Sequence, residues 1–147
     1  MQNVTLTLWI ILSLFILRLN KISAFRVQST AIKGQLRCGS EPAANTLVEL
    51  YDEDDGPDPD DLLDKKYTSA DGSFELSGDT MELTNIDPEL RIYHECGMHL
   101  PLCKREWVIG IPDKYISSGS KPTKIMDLGN VNLEVELENE DRHDCFH

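Results

Sequence analysis

His94, Cys96, His99 and Cys103 lie close together in the chain, and imidazole nitrogens with thiolate sulfurs are the ligands zinc prefers. The same cysteines, together with Cys38 and Cys145, can instead pair as disulfides, and the compartment decides between the two chemistries. A second cluster is acidic: Asp52, Glu53, Asp54, Asp55, Asp58, Asp60, Asp61 and Asp64 surround Gly56, Pro57 and Pro59. Carboxylates on a flexible loop suit calcium, with Asp52, Asp54, Asp55 and Asp58 as the candidate ligands. Their order departs from an EF-hand loop, because Gly56 comes one residue early and no bidentate glutamate follows at the right distance. A solvated run of mutually repelling charges is the simpler reading of the segment. No serine or cysteine stands in a nucleophile motif, and no cofactor is implied.

The N-terminus sets the compartment. Residues 1–24 carry an apolar stretch from Leu6 to Leu17, then Ile22-Ser23-Ala24 with a small residue last, the pattern of a cleaved secretory leader. An apolar stretch of about 12 residues is short of the roughly 20 a membrane span requires, so no transmembrane anchor is expected. The leader holds Arg18 and Lys21, two of the 14 basic residues, and none of the 26 acidic ones, so the mature net charge falls from −12 to −14. That balance argues against nucleic acid as a partner and against simple adsorption to anionic lipid.

In an oxidising compartment four cysteines are most simply two disulfides, which removes the thiolates a zinc site needs and leaves His94 and His99 as ordinary strand and loop residues. Three connectivities are open. Cys96 and Cys103 flank one hairpin loop, and Cys38 and Cys145 sit at the ends of the first and last strands. The expected bridges are therefore Cys96–Cys103 and Cys38–Cys145.

Alternating hydrophobicity supplies the elements that position these groups. Ile32, Gly34, Leu36 and Cys38 share one face of a strand. Turn residues Gly39 to Pro42 lead into Thr46–Tyr51, with Val48 and Leu50 on one side, and a hairpin is expected there. Leu62–Thr68 forms a third strand, and Asp71-Gly72 turns the chain into Phe74-Glu75-Leu76. The stretch 78–85 is polar and expected to be irregular. Leu90–Glu95 and Lys104–Ile111 alternate again, the latter with Trp107, Ile109 and Ile111 on one face, and Pro112–Gly119 leaves room for one helical turn. The final segment, Ile125–Glu138, sets Val131, Leu133, Val135 and Leu137 against Asn132, Glu134, Glu136 and Glu138. Long amphipathic helices are absent from this pattern, so the fold is all-β, a sandwich in residues 25–147.

Six segments in this order resemble the nematode transthyretin-like family of secreted proteins. They are Lys33–Gly39, Val48–Asp52, Asp60–Asp64, Asp71–Gly78, Asp87-Pro88 with Ile92-Tyr93-His94, and Ile111–Ile116. The resemblance implies an antiparallel transthyretin-type β-sandwich of about seven to eight strands with two facing sheets. It does not fix an activity, because fold and function separate easily.

Three functions accompany the resemblance. The related hydrolase of 5-hydroxyisourate uses histidines, an arginine and a Tyr-Arg-Gly-Ser ending; this chain ends His143-Asp144-Cys145-Phe146-His147 and has no histidine before His94, so no enzyme is expected. The vertebrate relative carries small apolar ligands between subunits, which requires an oligomer that the sequence does not show. Some nematode members act outside the cell as adaptors between phosphatidylserine and a receptor. The expectation is a secreted, extracellular, non-enzymatic binding protein, with anionic phospholipid or a protein receptor as partner. Its contacts are expected at the tip carrying Met98, Leu100, Leu102, Lys104 and Arg105, where apolar residues adjoin two cations, although ordinary loop packing accounts for the same residues.

Overall fold

A 13-residue strand, β1 (Arg26–Cys38), runs through the centre of the first sheet. Val27, Thr30 and Ile32 favour the extended backbone, and the buried side chains from Gln28 to Ile32 show that both faces are covered there. The computed structural model describes residues 25–54, 59–98, 104–138 and 140–143. Among them the chain continues through β2 (Glu41–Pro42), β3 (Leu47–Asp52), β4 (Asp61–Tyr67), β5 (Ser73–Glu82), β6 (Pro88–His94), β7 (Lys104–Gly110), a 3-10 turn (Asp113–Tyr115), β8 (Ser117–Ser118), β9 (Met126–Asn132) and β10 (Asp141–His143). The turn occupies the one place where a helical turn is expected. No described helix is long and apolar enough to cross a membrane. Residues 1–24, where a leader is expected, lie outside the described residues.

Strand β1 pairs antiparallel with β5 from Arg26↔Glu82 to Gln35↔Ser73, with β8 at Gln28 and Ser29, and with the short β2 at Arg37 and Cys38. It pairs parallel with β9, from Ile32↔Met126 to Arg37↔Asn132. The second sheet has the order β10-β7-β6-β3-β4 and is antiparallel throughout. Ile32, Leu36, Phe74 and Leu76 from the first sheet meet Val48, Leu50, Leu90, Ile92 and Trp107 from the second in one core. Each such side chain removed from water contributes roughly 1.5–3 kcal/mol, so the facing sheets are held chiefly by these residues.

Along one side the seam between the sheets is closed by polar groups. Asp64 of β4 accepts the Ser77 N–H of β5 at 3.0 Å, and Lys66 donates to the Glu75 carbonyl at 2.8 Å. These charges sit on edge strand β4 and occupy backbone groups that would otherwise invite pairing with another chain.

Three expectations are corrected. β1 and β3 do not form a hairpin; after β2 the chain crosses to the other sheet, where β3 lies between β4 and β6. β5 does not break at Gly78 but continues to Glu82, because the long β1 offers ladder partners as far as Arg26. The last alternating segment is a strand only to Asn132. Leu133 is buried as expected, but Val135 and Leu137 are exposed, at 54% and 38%, since β1 turns away after Cys38 and leaves them no ladder.

The Asp71-Gly72 turn docks directly on β1: Leu36 N–H donates to the Gly72 carbonyl at 2.9 Å. Gly72 has φ +80°, and a Cβ there would lie 2.1 Å from the Leu36 oxygen. Gly119 has a similar φ of +91° with nothing within 4 Å of the added carbon. Gly119→Ala should therefore lose about 1 kcal/mol from backbone strain alone, and Gly72→Ala about 3 kcal/mol or more from strain plus collision. Urea unfolding of the two variants measures the difference, and equal losses would show that the docked turn yields.

Candidate functional site

Cys38, at the end of β1, is bonded to Cys96, just after β6, with Cα atoms 5.7 Å apart. The expected bridges Cys96–Cys103 and Cys38–Cys145 are therefore incorrect, since each half-cystine pairs once. By the sequence pattern Cys96 and Cys103 flank one hairpin loop and Cys38 and Cys145 end the first and last strands, but the sandwich brings the end of β1 in one sheet beside the end of β6 in the other. A bridge closing a separation of 58 residues is worth roughly 4 kcal/mol in the chain-entropy account. Cys103, Cys145 and His99 lie outside the described residues. Cys96, as a disulfide sulfur, is no thiolate ligand for zinc.

His94 is 4% exposed. Its Nδ1 accepts the Cys96 N–H at 3.3 Å, and its ring stands edge-on to Trp107 with centroids 5.4 Å apart. Burial, and then the neighbouring Arg105 charge, push its pKa down to about 4, so the imidazole is neutral at physiological pH.

Arg105 is not at a membrane-facing tip. Trp107 of β7 points inward and, with a period of two, so does Arg105, which is 6% exposed. Its Nη1 donates to the carbonyls of Cys96 at 2.8 Å and Leu133 at 3.0 Å. Its Nη2 donates to the Val135 carbonyl at 2.8 Å and to Glu140 Oε2 at 2.5 Å, while Nε donates to Glu140 Oε1. Trp107 Nε1 donates to the same carboxylate at 3.0 Å. These donors hold the Glu140 pKa down to about 2, the Arg105 hydrogen bonds being the main cause. As a contact for lipid or partner Arg105 is thus a correction: its donors are spent on the protein's own acceptors. The signal was present in the sequence, since Arg105 shares the parity of Trp107 and Ile109. Lys104 has the opposite parity and faces out. Met98 is half-buried, and Leu100 and Leu102 lie outside the described residues.

Of the candidate calcium ligands, Asp52 and Asp54 lie together and Glu82 of β5 joins them. Asp55 and Asp58 lie outside the described residues. Asp60 is drawn to Arg91 instead, whose guanidinium holds its carboxyl below the usual range.

The solvent face of the second sheet carries a site that was not foreseen. A groove of about 470 Å³ lies there, and one of about 570 Å³, sharing Leu47, Tyr93 and Lys104 with it, runs from that face to the end of the sandwich beside Cys38, His94, Cys96 and Leu133. Tyr67 lines one, and Tyr51, Lys65 and Arg91 line the other. Lys65 pairs with Glu49 at 2.6 Å. Arg91 is bonded to Glu89 and Asp60 and stacks over the Tyr51 ring at 4.2 Å. Burial, together with Glu106, pushes the Tyr93 phenol above its ordinary pKa, so it remains a neutral donor. The positions follow from alternation: Leu47, Glu49 and Tyr51 are the outward set of β3, and Arg91 and Tyr93 that of β6. Three tyrosines interleaved with matched charges can bind another polar surface by ring contact and exchange of ion pairs.

Two β-sheets facing across one core make this a β-sandwich, and its relatives place it in the transthyretin type. The chain belongs to the transthyretin-like family: the profile described as Transthyretin-like family matches residues 33–112. Transthyretin-like protein 33 of Caenorhabditis elegans is 46% identical over 135 residues, covering 92% of this chain and 94% of that protein. Transthyretin-like protein 46 of the same nematode is 48% identical over 130 residues, covering 88% and 73%. Among solved structures, a 9R-lipoxygenase from Cyanothece aligns with 72% of this chain and 16% of its own at 24% identity; its TM-score of 0.41 supports no argument.

Two outcomes are expected from the geometry around Arg105. Backbone pairing of Lys104 with His143 flanks the two cysteines that remain after Cys38 and Cys96 have paired. Non-reducing peptide mapping should therefore join Cys38 to Cys96 and Cys103 to Cys145; a peptide linking Cys96 to Cys103 would contradict this. Glu140→Ala should cost roughly 2–3 kcal/mol, because it strips a charged partner from a buried guanidinium. The folded-state pKa of Glu140 is depressed, so its stabilisation is complete above the unfolded value of about 4.3 and is lost as pH falls towards about 2. The variant's stability deficit, followed by urea titration, should shrink across that window.

Proposed function

We propose that residues 1–24 are a cleaved leader and that residues 25–147 act outside the cell as a non-enzymatic binding module, with a protein receptor as partner. The supporting observation is the pair of adjoining grooves that share Leu47, Tyr93 and Lys104 and run from the solvent face of the second sheet to the end of the sandwich. Aromatic rings and arginine are enriched where proteins meet proteins. The cations on this face favour a receptor over anionic phospholipid: Lys65 and Arg91 already have carboxylate partners, Arg105 is internal, and the mature chain carries a large negative charge. A lipid headgroup would have to displace those carboxylates against that field.

Catalysis finds little support in the same geometry. His94 is enclosed, is held neutral, and has Nδ1 committed to the Cys96 amide, so it is poorly placed as a general base. The relatives carry the transthyretin-like name and no reaction name.

The test uses labelled mature protein, with its N-terminus read by mass spectrometry and expected near Phe25. Binding to nematode cells should be saturable, abolished by prior protease treatment of the cells, and weakened about tenfold or more by Tyr93→Ala combined with Lys104→Glu. Phosphatidylserine vesicles should neither pellet the protein nor compete with the cells. Pelleting that Lys104→Glu abolishes would make the lipid the partner, and cell binding unchanged by the double variant would remove this face from the function.

A further inference from the structure

At the opposite margin of the second sheet, β3 ends in Asp52, whose carboxylate is 1% exposed. Its Oδ1 accepts the Asp87 N–H at 2.7 Å, but its Oδ2 is buried without a hydrogen-bond partner. A buried carboxylate oxygen left unanswered is costly, and such groups are retained in proteins when something positive meets them. Among the described residues no lysine or arginine forms an ion pair with Asp52 or with Glu82 at the end of β5. Arg26, opposite Glu82 in the ladder, gives its guanidinium to the Asn85 side chain instead. The enclosed Asp52 carboxylate therefore faces two further carboxylates, and no lysine or arginine among the described residues is paired with it.

We propose that Asp52, Asp54 and Glu82 form a calcium site that ties the end of β3 to the end of β5 across the two sheets. One carboxylate oxygen from each residue lies within 4.8 Å of the others. Oxygens around one calcium, at about 2.3–2.6 Å from the ion, are separated by up to roughly 5 Å, so the three reach a common centre. All-oxygen, carboxylate-rich ligation is the preference of a hard divalent cation. Three protein ligands of irregular disposition suit calcium, with water completing its shell, better than magnesium with its strict octahedron. The ligand set differs from the loop set Asp52, Asp54, Asp55 and Asp58: Glu82 replaces the two loop residues, and the site requires nothing from positions 55–58.

The experiment is calorimetric titration and thermal unfolding of chelator-treated mature protein with calcium chloride, and with magnesium chloride as the comparison. Calcium at a hundredfold excess over Kd should raise Tm by roughly 5–10 °C, and magnesium should do so less. Glu82→Gln and Asp54→Asn, at half-buried positions that do not threaten the fold, should each weaken calcium binding about tenfold or more. Asp52→Asn should be at least as stable as the wild type in chelator, having lost an unmatched charge, and should gain nothing from calcium. The absence of heat and Tm shift with calcium would overturn the proposal. So would calcium binding that survives Glu82→Gln, because the ion would then sit on the acidic run rather than between the sheets.

Discussion

A guanidinium cannot be enclosed in a protein unless its donors are matched, and Arg105 is matched by three carbonyls and a carboxylate. Those acceptors come from the turn after β6, from the segment after β9 and from Glu140 before β10. One side chain thereby fixes the path of the chain at one end of the sandwich. The segment 133–138 forms no strand; its Leu133 and Val135 carbonyls are oriented by Arg105. The disulfide at Cys96 lies against the same cluster, since the carbonyl of that residue is one of the acceptors. Covalent and ionic ties thus converge where the two sheets separate.

Much of the fold could be read from period-two alternation. Val48, Leu50, Leu90, Ile92 and Trp107 are inward in sequence and in structure, and the family resemblance named the architecture that contains them. Alternation failed where it outlasted the partner strand. Val135 and Leu137 continue the pattern of Val131 and Leu133, but pairing stops at Asn132 because β1 has ended. Conversely, Gly78 to Glu82 looks irregular, yet is strand because a long neighbour extends beside it. Local pattern reports which way a side chain would face, and partner length decides whether there is a strand at all.

The site was less legible, for a related reason. Sequence proximity suggested Cys96 with Cys103, and Lys104 with Arg105. In a sandwich, adjacent residues on a strand point to opposite faces, and residues joined across the core are far apart in sequence. Lys104 and Arg105 are neighbours that share no surface. Cys38 and Cys96, or Asp52 and Glu82, are distant and share one. The tyrosines of the outer face were visible individually, at positions 51, 67 and 93, but their adjacency depends on the registers Leu47↔Tyr67 and Leu47↔Tyr93, which no single segment encodes.

The parallel pairing of β1 with β9 also bears on how the protein is made. Its ladder joins positions such as Leu36 and Val131, so the first strand to leave the ribosome completes its hydrogen bonding only after nearly the whole chain has followed. Long-range pairings of this kind close large loops before any contact repays the entropy, and they fold slowly. A chain synthesised from its N-terminus holds β1 with that edge unpaired until β9 emerges, alternating and apolar on one face. The interval before β9 arrives is when that edge of β1 is most open to pairing with another chain.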